Sequence, residues 1–256
     1  VNRGTPALLA AAVRTAEALG IPAPFTYLVG DTGPGRGSQR LYAHLVEQLP
    51  RSDFEVLAFH YLLPDVDWHN RILLALGRRP SPPILIADAG FMYAAKMSGQ
   101  ARDYDLFTPD VGELAFLADE MAPHPFYTRG FILHEENRVP DLIRRAYAYE
   151  NAARHLLVKG ARDYVATRDG IQATVDGPSE EVLEAIGGTG DTLTGITAAL
   201  IASGMEVGRA ALLAARANRL AGHYARPTPA TQVGEIIRHI PKAVESVLSQ
   251  QAKRRS

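Results

Sequence analysis

The stretch Gly187-Gly188-Thr189-Gly190-Asp191-Thr192-Leu193-Thr194-Gly195, followed by the apolar run from Ile196 to Met205, decides how this chain is read. Glycines, a hydroxyl and a carboxylate stand where an irregular segment turns into a long helix rich in small residues. Helix N-termini carry unused N–H groups and a partial positive charge, so such a turn is a backbone anion site. A phosphate would rest on Gly187, Gly188, Thr189 and Gly190, with Asp191 in the first turn facing the neighbouring hydroxyl or leaving group. The same residues also make an ordinary helix start, where an acid contributes about 0.3–1 kcal/mol of dipole energy. One capping residue would suffice for that, whereas each glycine costs about 0.5–1 kcal/mol in chain entropy.

Outward from this turn the chain alternates strands and helices. Residues 6–19 read as a surface helix ended by Gly20-Ile21-Pro22. Phe25–Val29 reads as a strand running into Gly30-Asp31-Thr32-Gly33-Pro34-Gly35-Arg36-Gly37-Ser38, and Gln39–Gln48 as the helix after it. Further strands are expected at Phe54–Phe59, Pro83–Ala87, Tyr104–Phe107, His155–Val158, Tyr164–Arg168 and Ile171–Val175. Helices are expected at Asp65–Leu76, after Asp88-Ala89-Gly90 through Met97, and at Val111–Glu120, Pro140–Ala153, Thr192–Ser203, Val207–Tyr224 and Gln232–Gln250, interrupted by Pro227-Thr228-Pro229 and by Pro241. Alternation of this kind implies a mostly parallel sheet with helices on both faces. No internal repeat or low-complexity linker interrupts residues 1–256, which read as a single domain with a helical extension over 1–24 and a long loop over 121–138.

In such a sheet, ligands bind outside the carboxyl ends of the strands. That rule gathers the 30–38 loop, Asp88, Asp110 with Glu113, Lys159-Gly160 and the 187–191 turn on one edge. Asp31, Gly33, Gly35, Gly37 and Asp88 are substrate candidates, and Lys159 with Gly160 is a nucleotide candidate. The glycine loop is neither a Walker A loop nor a dinucleotide fingerprint, because Gly35 is followed by Arg36-Gly37 and its glycines are evenly spaced. It is a ligand cradle or a flexible surface loop. Asp110 and Glu113, three apart at a helix start, could hold Mg²⁺, or simply answer the helix dipole. Asp88 could ligate or cap the next helix, and Lys159 could meet phosphate or be solvated.

Composition narrows the classes of function. The chain has 256 residues, 46% of them hydrophobic, and a formal net charge of -1, so a nucleic-acid partner is not favoured. Lys253-Arg254-Arg255 reads as a solvated tail. With no cysteine there is no disulfide, zinc-thiolate site or thiol nucleophile, which fits a cytoplasmic location. The apolar run after Asp191 is too short for a membrane span, and the first twenty residues lack a signal-peptide layout. The eight histidines form no HExxH, with His134-Glu135-Glu136 in the long loop read as surface, and no G-x-S-x-G is present. The Ala-rich helices over 192–225 could pack internally or between protomers, which leaves a homo-oligomer open.

The chain resembles the ribokinase-like superfamily, and within it the ADP- or ATP-dependent NAD(P)H-hydrate dehydratases. The resemblance rests on GGTGDTLTG at 187–195, on Ala87-Asp88-Ala89 after a strand and on Thr108-Pro109-Asp110-Val111-Gly112-Glu113. It also rests on Ala230-Thr231-Gln232-Val233-Gly234-Glu235-Ile236-Ile237 with Ile240-Pro241-Lys242-Ala243, and it runs from about residue 26 to 248. Three segments depart from the family pattern: Glu181-Val182-Leu183-Glu184, Asp110-Val111 and His60-Tyr61-Leu62-Leu63-Pro64. The resemblance implies an α/β three-layer sandwich and ADP or ATP with its phosphates over residues 188–190. It further implies Asp191 as acid/base and a small-molecule substrate, hydrated NADH or NADPH, in metabolite repair. Two alternatives stand beside this reading: an ATP-dependent kinase of a small hydroxylated metabolite, and a non-catalytic nucleotide-binding protein.

Overall fold

The computed structural model describes residues 1–31, 33–125 and 139–253. Six strands, β1 (Val56–Phe59), β2 (Ile84–Ala87), β3 (Leu106–Phe107), β4 (His155–Val158), β5 (Asp163–Thr167) and β6 (Gly170–Val175), hydrogen-bond in the order of the sequence. β1 to β4 run parallel and β5–β6 is an antiparallel hairpin, so the sheet is mostly parallel, as the alternation predicts. The chain forms two compact units, Phe25–Leu156 on one hand and Val1–Pro24 with Leu157–Ser256 on the other, whose boundary falls inside β4.

Among the described residues, the 25–156 unit carries β1 to β3 with the α-helices α2 (Arg36–Gln48), α3 (Val66–Leu76), α4 (Ala89–Met97), α5 (Val111–Ala118) and α6 (Val139–Ala148). Leu85, Ile86 and Ala87 of β2 are buried with no polar alternation, the mark of a parallel strand covered on both faces. Helix starts follow their side chains. Asp65 accepts from the Trp68 N–H, and Asp88 from the Ala89 N–H. The core is aromatic, with Phe59 stacked on Phe91 at 4.1 Å and Tyr42 and Tyr104 fully buried. The buried His69 bridges Tyr104 Oη at 2.8 Å and Ser98 Oγ at 3.0 Å. Burial also depresses Lys96 to about 8, although its ammonium donates to the carbonyls of Phe116, Asp119 and Ala122 where α5 ends.

The other unit joins β5 and β6 to α1 (Thr5–Leu19), α7 (Thr189–Ala202), α8 (Val207–Ala225), α9 (Val233–Ile237) and α10 (Ile240–Lys253). α1 lays a face of Ala7, Ala11, Ala12 and Ala16 into the core, and its principal partner is α7. The two backbones meet closely: a Cβ built on Gly195 would lie 2.1 Å from the Leu8 carbonyl oxygen. Only glycine permits that approach.

Several expectations are corrected. Phe25–Val29 forms no strand, because no ladder partner reaches it among the described residues; its rings cluster locally instead, Phe25 on Phe54 at 5.8 Å and Tyr27 on His44 at 5.1 Å. The helix expected from Pro140 to Ala153 is shorter and stops at Ala148, just before Glu150 in the left-handed region at φ 61. The helical stretch Gln232–Gln250, which the sequence expects to be interrupted at Pro241, is two helices, with Pro241 in the first turn of the second, where a missing N–H is harmless. Residues 126–138 of the expected loop, His134-Glu135-Glu136 and Arg254-Arg255 lie outside the described residues.

Candidate functional site

The 187–191 turn opens a helix through a left-handed glycine. Gly188 takes φ 105 and ψ -8, and the helix opens directly after it, at Thr189 rather than at the expected Thr192. The first rung of the helix is the Thr192 N–H donating to the Gly188 carbonyl at 2.9 Å. The N–H groups of residues 189–191 are therefore outside the helical ladder, at the positive end of a 14-residue helix. Lys159, directly after β4, lies along this turn: a Cβ on Gly190 would meet its Cε at 3.7 Å and its Nζ at 3.8 Å. Gly160 follows in a loop held by Arg219, which donates to Asp163 at 2.7 Å and to the carbonyls of Gly160 and Ala161, both at 2.9 Å. Burial raises the Asp163 carboxyl by more than the arginine lowers it.

Sequence reasoning missed three residues that brace the turn. Asn218 of α8 donates to the Thr189 carbonyl at 3.0 Å, and its Oδ1 accepts from Thr192 Oγ1 at 2.7 Å. The stem of Arg3 lies against Gly187, and the Gly4 N–H donates to Asp191 Oδ2 at 2.7 Å. Asn218 had no signal in sequence, being one polar residue on an Ala-rich helix. Gly4 stood before a helix, which singles out a cap but not a partner 187 positions away.

The 25–156 unit contributes a cavity of about 480 Å³. It is lined by Asp31, Gly33, Gly35 and Ser38 from the glycine loop, by residues 61–64 after β1, by Ala89, Gly90 and Tyr93 of α4, and by Glu113, His124 and Pro125. Gly37 and Asp88 are not among its lining residues. Asp31 closes the loop on itself, accepting from Ser38 Oγ and the Ser38 N–H, both at 2.7 Å, and from the Gly37 N–H at 3.1 Å. The Ser38 hydroxyl and N–H hold its carboxyl below the usual range. The N-terminus of α2 is thus capped by the chain's own carboxylate. Ser38 Oγ in turn accepts from the Leu63 N–H at 3.0 Å, tying the loop to the segment after β1. Glycine is required at three of these contacts. A Cβ would fall 2.4 Å from Leu63 Cδ2 at Gly35, and 2.2 Å from the carbonyl oxygens of Gly30 and Leu62 at Gly37 and Gly90.

Asp88 caps α4, and its Oδ2 lies 3.9 Å from Nε2 of His60, both side chains buried. His60 is a residue that the sequence reading noted only as a departure from a family pattern. Tyr61 and Ala89, the residues beside this pair, both take positive φ, 46 and 49, a strained backbone at the ends of β1 and β2. Asp110 and Glu113 form a reciprocal capping box: Asp110 Oδ1 accepts from the Glu113 N–H at 2.7 Å, and Glu113 Oε2 from the Asp110 N–H at 2.8 Å. Glu113 Oε1 also accepts from Tyr93 at 3.1 Å, and burial with this carboxylate pushes the Tyr93 hydroxyl up. As folded, the pair forms a helix cap.

Residues 63–242 match the family described as NAD(P)H-hydrate dehydratase. The chain belongs to that family. Within the curated proteins it is 41% identical over 220 residues to the uncharacterized protein MJ1337 of Methanocaldococcus jannaschii, covering 86% of this chain and 90% of that one. It is also 40% identical over 109 residues to the bifunctional NAD(P)H-hydrate repair enzyme Nnr of Hyperthermus butylicus. That second match spans 40% of this chain and 20% of the repair enzyme. Among solved structures it is similar to a ribokinase-like superfamily protein from Enterococcus faecalis V583, with a TM-score of 0.63, 17% identity and coverage of 94% and 83% of the two chains. The fold is thus the α/β three-layer fold of the ribokinase-like superfamily. Among the described residues no helix is long and apolar enough to cross a membrane.

Proposed function

We propose that this chain catalyses the nucleotide-dependent dehydration of hydrated NADH or NADPH. The observation that carries the reading is the turn at Gly188, which makes Asp191 the third residue of α7 beside N–H groups outside the helical ladder. Family membership supplies the substrate class. ADP or ATP, when bound, supplies a phosphoryl group that turns the ring hydroxyl into a leaving group. Asp191 accepts the proton of that hydroxyl as its oxygen attacks phosphorus. The N–H groups of residues 189–191, with Lys159 beside them, hold the charge that develops on the departing phosphate oxygens. The carbon–oxygen bond of the ring then breaks with release of phosphate, a proton leaves the neighbouring ring carbon, and the reduced nicotinamide is restored. Backbone donors aimed at developing charge are worth about 10²–10³-fold, and a positioned carboxylate about 10²–10⁴-fold.

The test uses purified protein with hydrated NADH and either ADP or ATP, read as recovery of the reduced-nicotinamide absorbance band. Asp191→Asn should abolish recovery while nucleotide affinity stays within about tenfold, since the backbone donors remain. Full activity in that variant refutes the assignment. So does nucleotide cleavage by the wild type that occurs with a panel of hydroxylated metabolites and not with the hydrate.

A further inference from the structure

We propose that Gly4 is a positioning residue for Asp191, its backbone N–H setting the rotation of the carboxylate that moves the proton; this rests on the role given to Asp191 above. The bond is short, 2.7 Å from N to Oδ2, and joins residues 187 positions apart. Its donor is rigid. Gly4 caps α1, and its carbonyl accepts from the N–H groups of Ala7 at 2.9 Å and Leu8 at 3.1 Å. Its backbone sits at φ 70 and ψ -151, a region essentially closed to residues with a Cβ. The acceptor side is equally fixed. Leu8 lies one helical turn beyond Gly4 and Gly195 one turn beyond Asp191, and these two meet at the close backbone approach of α1 and α7. Gly188 is confined from the same side, a Cβ there lying 3.1 Å from Arg3 Cα and 3.2 Å from the Asn2 carbonyl oxygen.

A neutral N–H orients a carboxylate without neutralising it, as a lysine or arginine partner would. With Oδ2 held by this N–H, α1 helps to set the direction of Oδ1. Misplacing a reacting group by an ångström is worth about 10²-fold in rate, and that is the scale expected here.

Gly4→Ala should lower kcat by about 10²-fold while KM and nucleotide affinity stay within about threefold. A kcat within about twofold of wild type, in a variant with the wild-type melting point, overturns the proposal. An independent readout is the Gly4 amide proton in a ¹⁵N-labelled sample of the full chain. It should move upfield in Asp191→Ala by more than the amide protons of Ala7 and Leu8, and an unmoved Gly4 resonance overturns the contact itself. This readout needs no substrate, so it separates failure of the Gly4 proposal from failure of the dehydratase reading, which shows instead as no turnover by the wild type.

Discussion

Replacing Gly195 by alanine sets a methyl group 2.1 Å from the Leu8 carbonyl oxygen, 3.0 Å from the Leu8 carbonyl carbon and 3.1 Å from the Ala12 nitrogen. All three are backbone atoms, so no side chain can swing aside and α1 must retreat by more than an ångström. Overpacking of this kind costs about 1–3 kcal/mol, and a clash between helix backbones falls at the upper end. Alanine returns up to about 1 kcal/mol through helix propensity. The net expectation is a loss of about 2 kcal/mol, a fall in melting temperature of about 4–8 °C for a chain of this size. Gly112→Ala is the matched control, since its Cβ would meet only Asp110 Oδ1 at an ordinary 3.4 Å, and it should be neutral or stabilising by up to about 1 kcal/mol. Calorimetric scans of the two variants against wild type decide the matter. If Gly195→Ala melts at or above the wild-type temperature, the close approach of α1 to α7 is refuted. Because Gly4 and Asp191 lie one turn along the same two helices, the variant should also lose kcat.

Lys159→Ala should weaken ADP binding about tenfold by titration calorimetry, since the side chain runs along Gly190 at the 187–191 turn; unchanged affinity would refute a role for Lys159 in nucleotide binding. His69 carries the pH prediction. Ser98 Oγ donates to the Ala95 carbonyl, so it accepts from His69 Nδ1–H, which leaves Nε2 to accept from Tyr104. Burial holds this neutral ring down to about 4, from an ordinary 6.5. The unfolded chain binds the proton first, so the contribution of His69 is complete above pH 6.5 and is lost as pH falls towards 4, by about 3 kcal/mol in all. Urea titrations at pH 7, 6 and 5 should show a shallower decline in His69→Gln than in wild type, and parallel declines would refute the buried neutral ring.

Much of the fold was legible because its signals are local. β4 and the helix starts at Asp65, Asp88 and Asp110 follow from short-range hydrogen bonding and apolar runs, which need no tertiary partner to be recognised. Phe25–Val29 shows the limit: its residues suit a strand, yet strand formation needs a ladder, and Phe25, Leu28 and Val29 are exposed instead. Asp31 shows what sequence leaves open: the glycine loop offers it as a substrate candidate, and only the structure shows its carboxylate accepting from Ser38 and Gly37 at the cavity wall.

By itself the sequence determined the alternating α/β architecture and the turn at 187–191, because glycine and carboxylate placement at a helix start has a local physical meaning. Only the tertiary structure decided what surrounds that turn. Gly195 closes the motif for α1 to approach, Asn218 braces the Thr189 carbonyl, and the Gly4 N–H reaches Asp191 from the far end of the chain. These contacts join residues distant in sequence, and packing rather than periodicity or spacing brings them together.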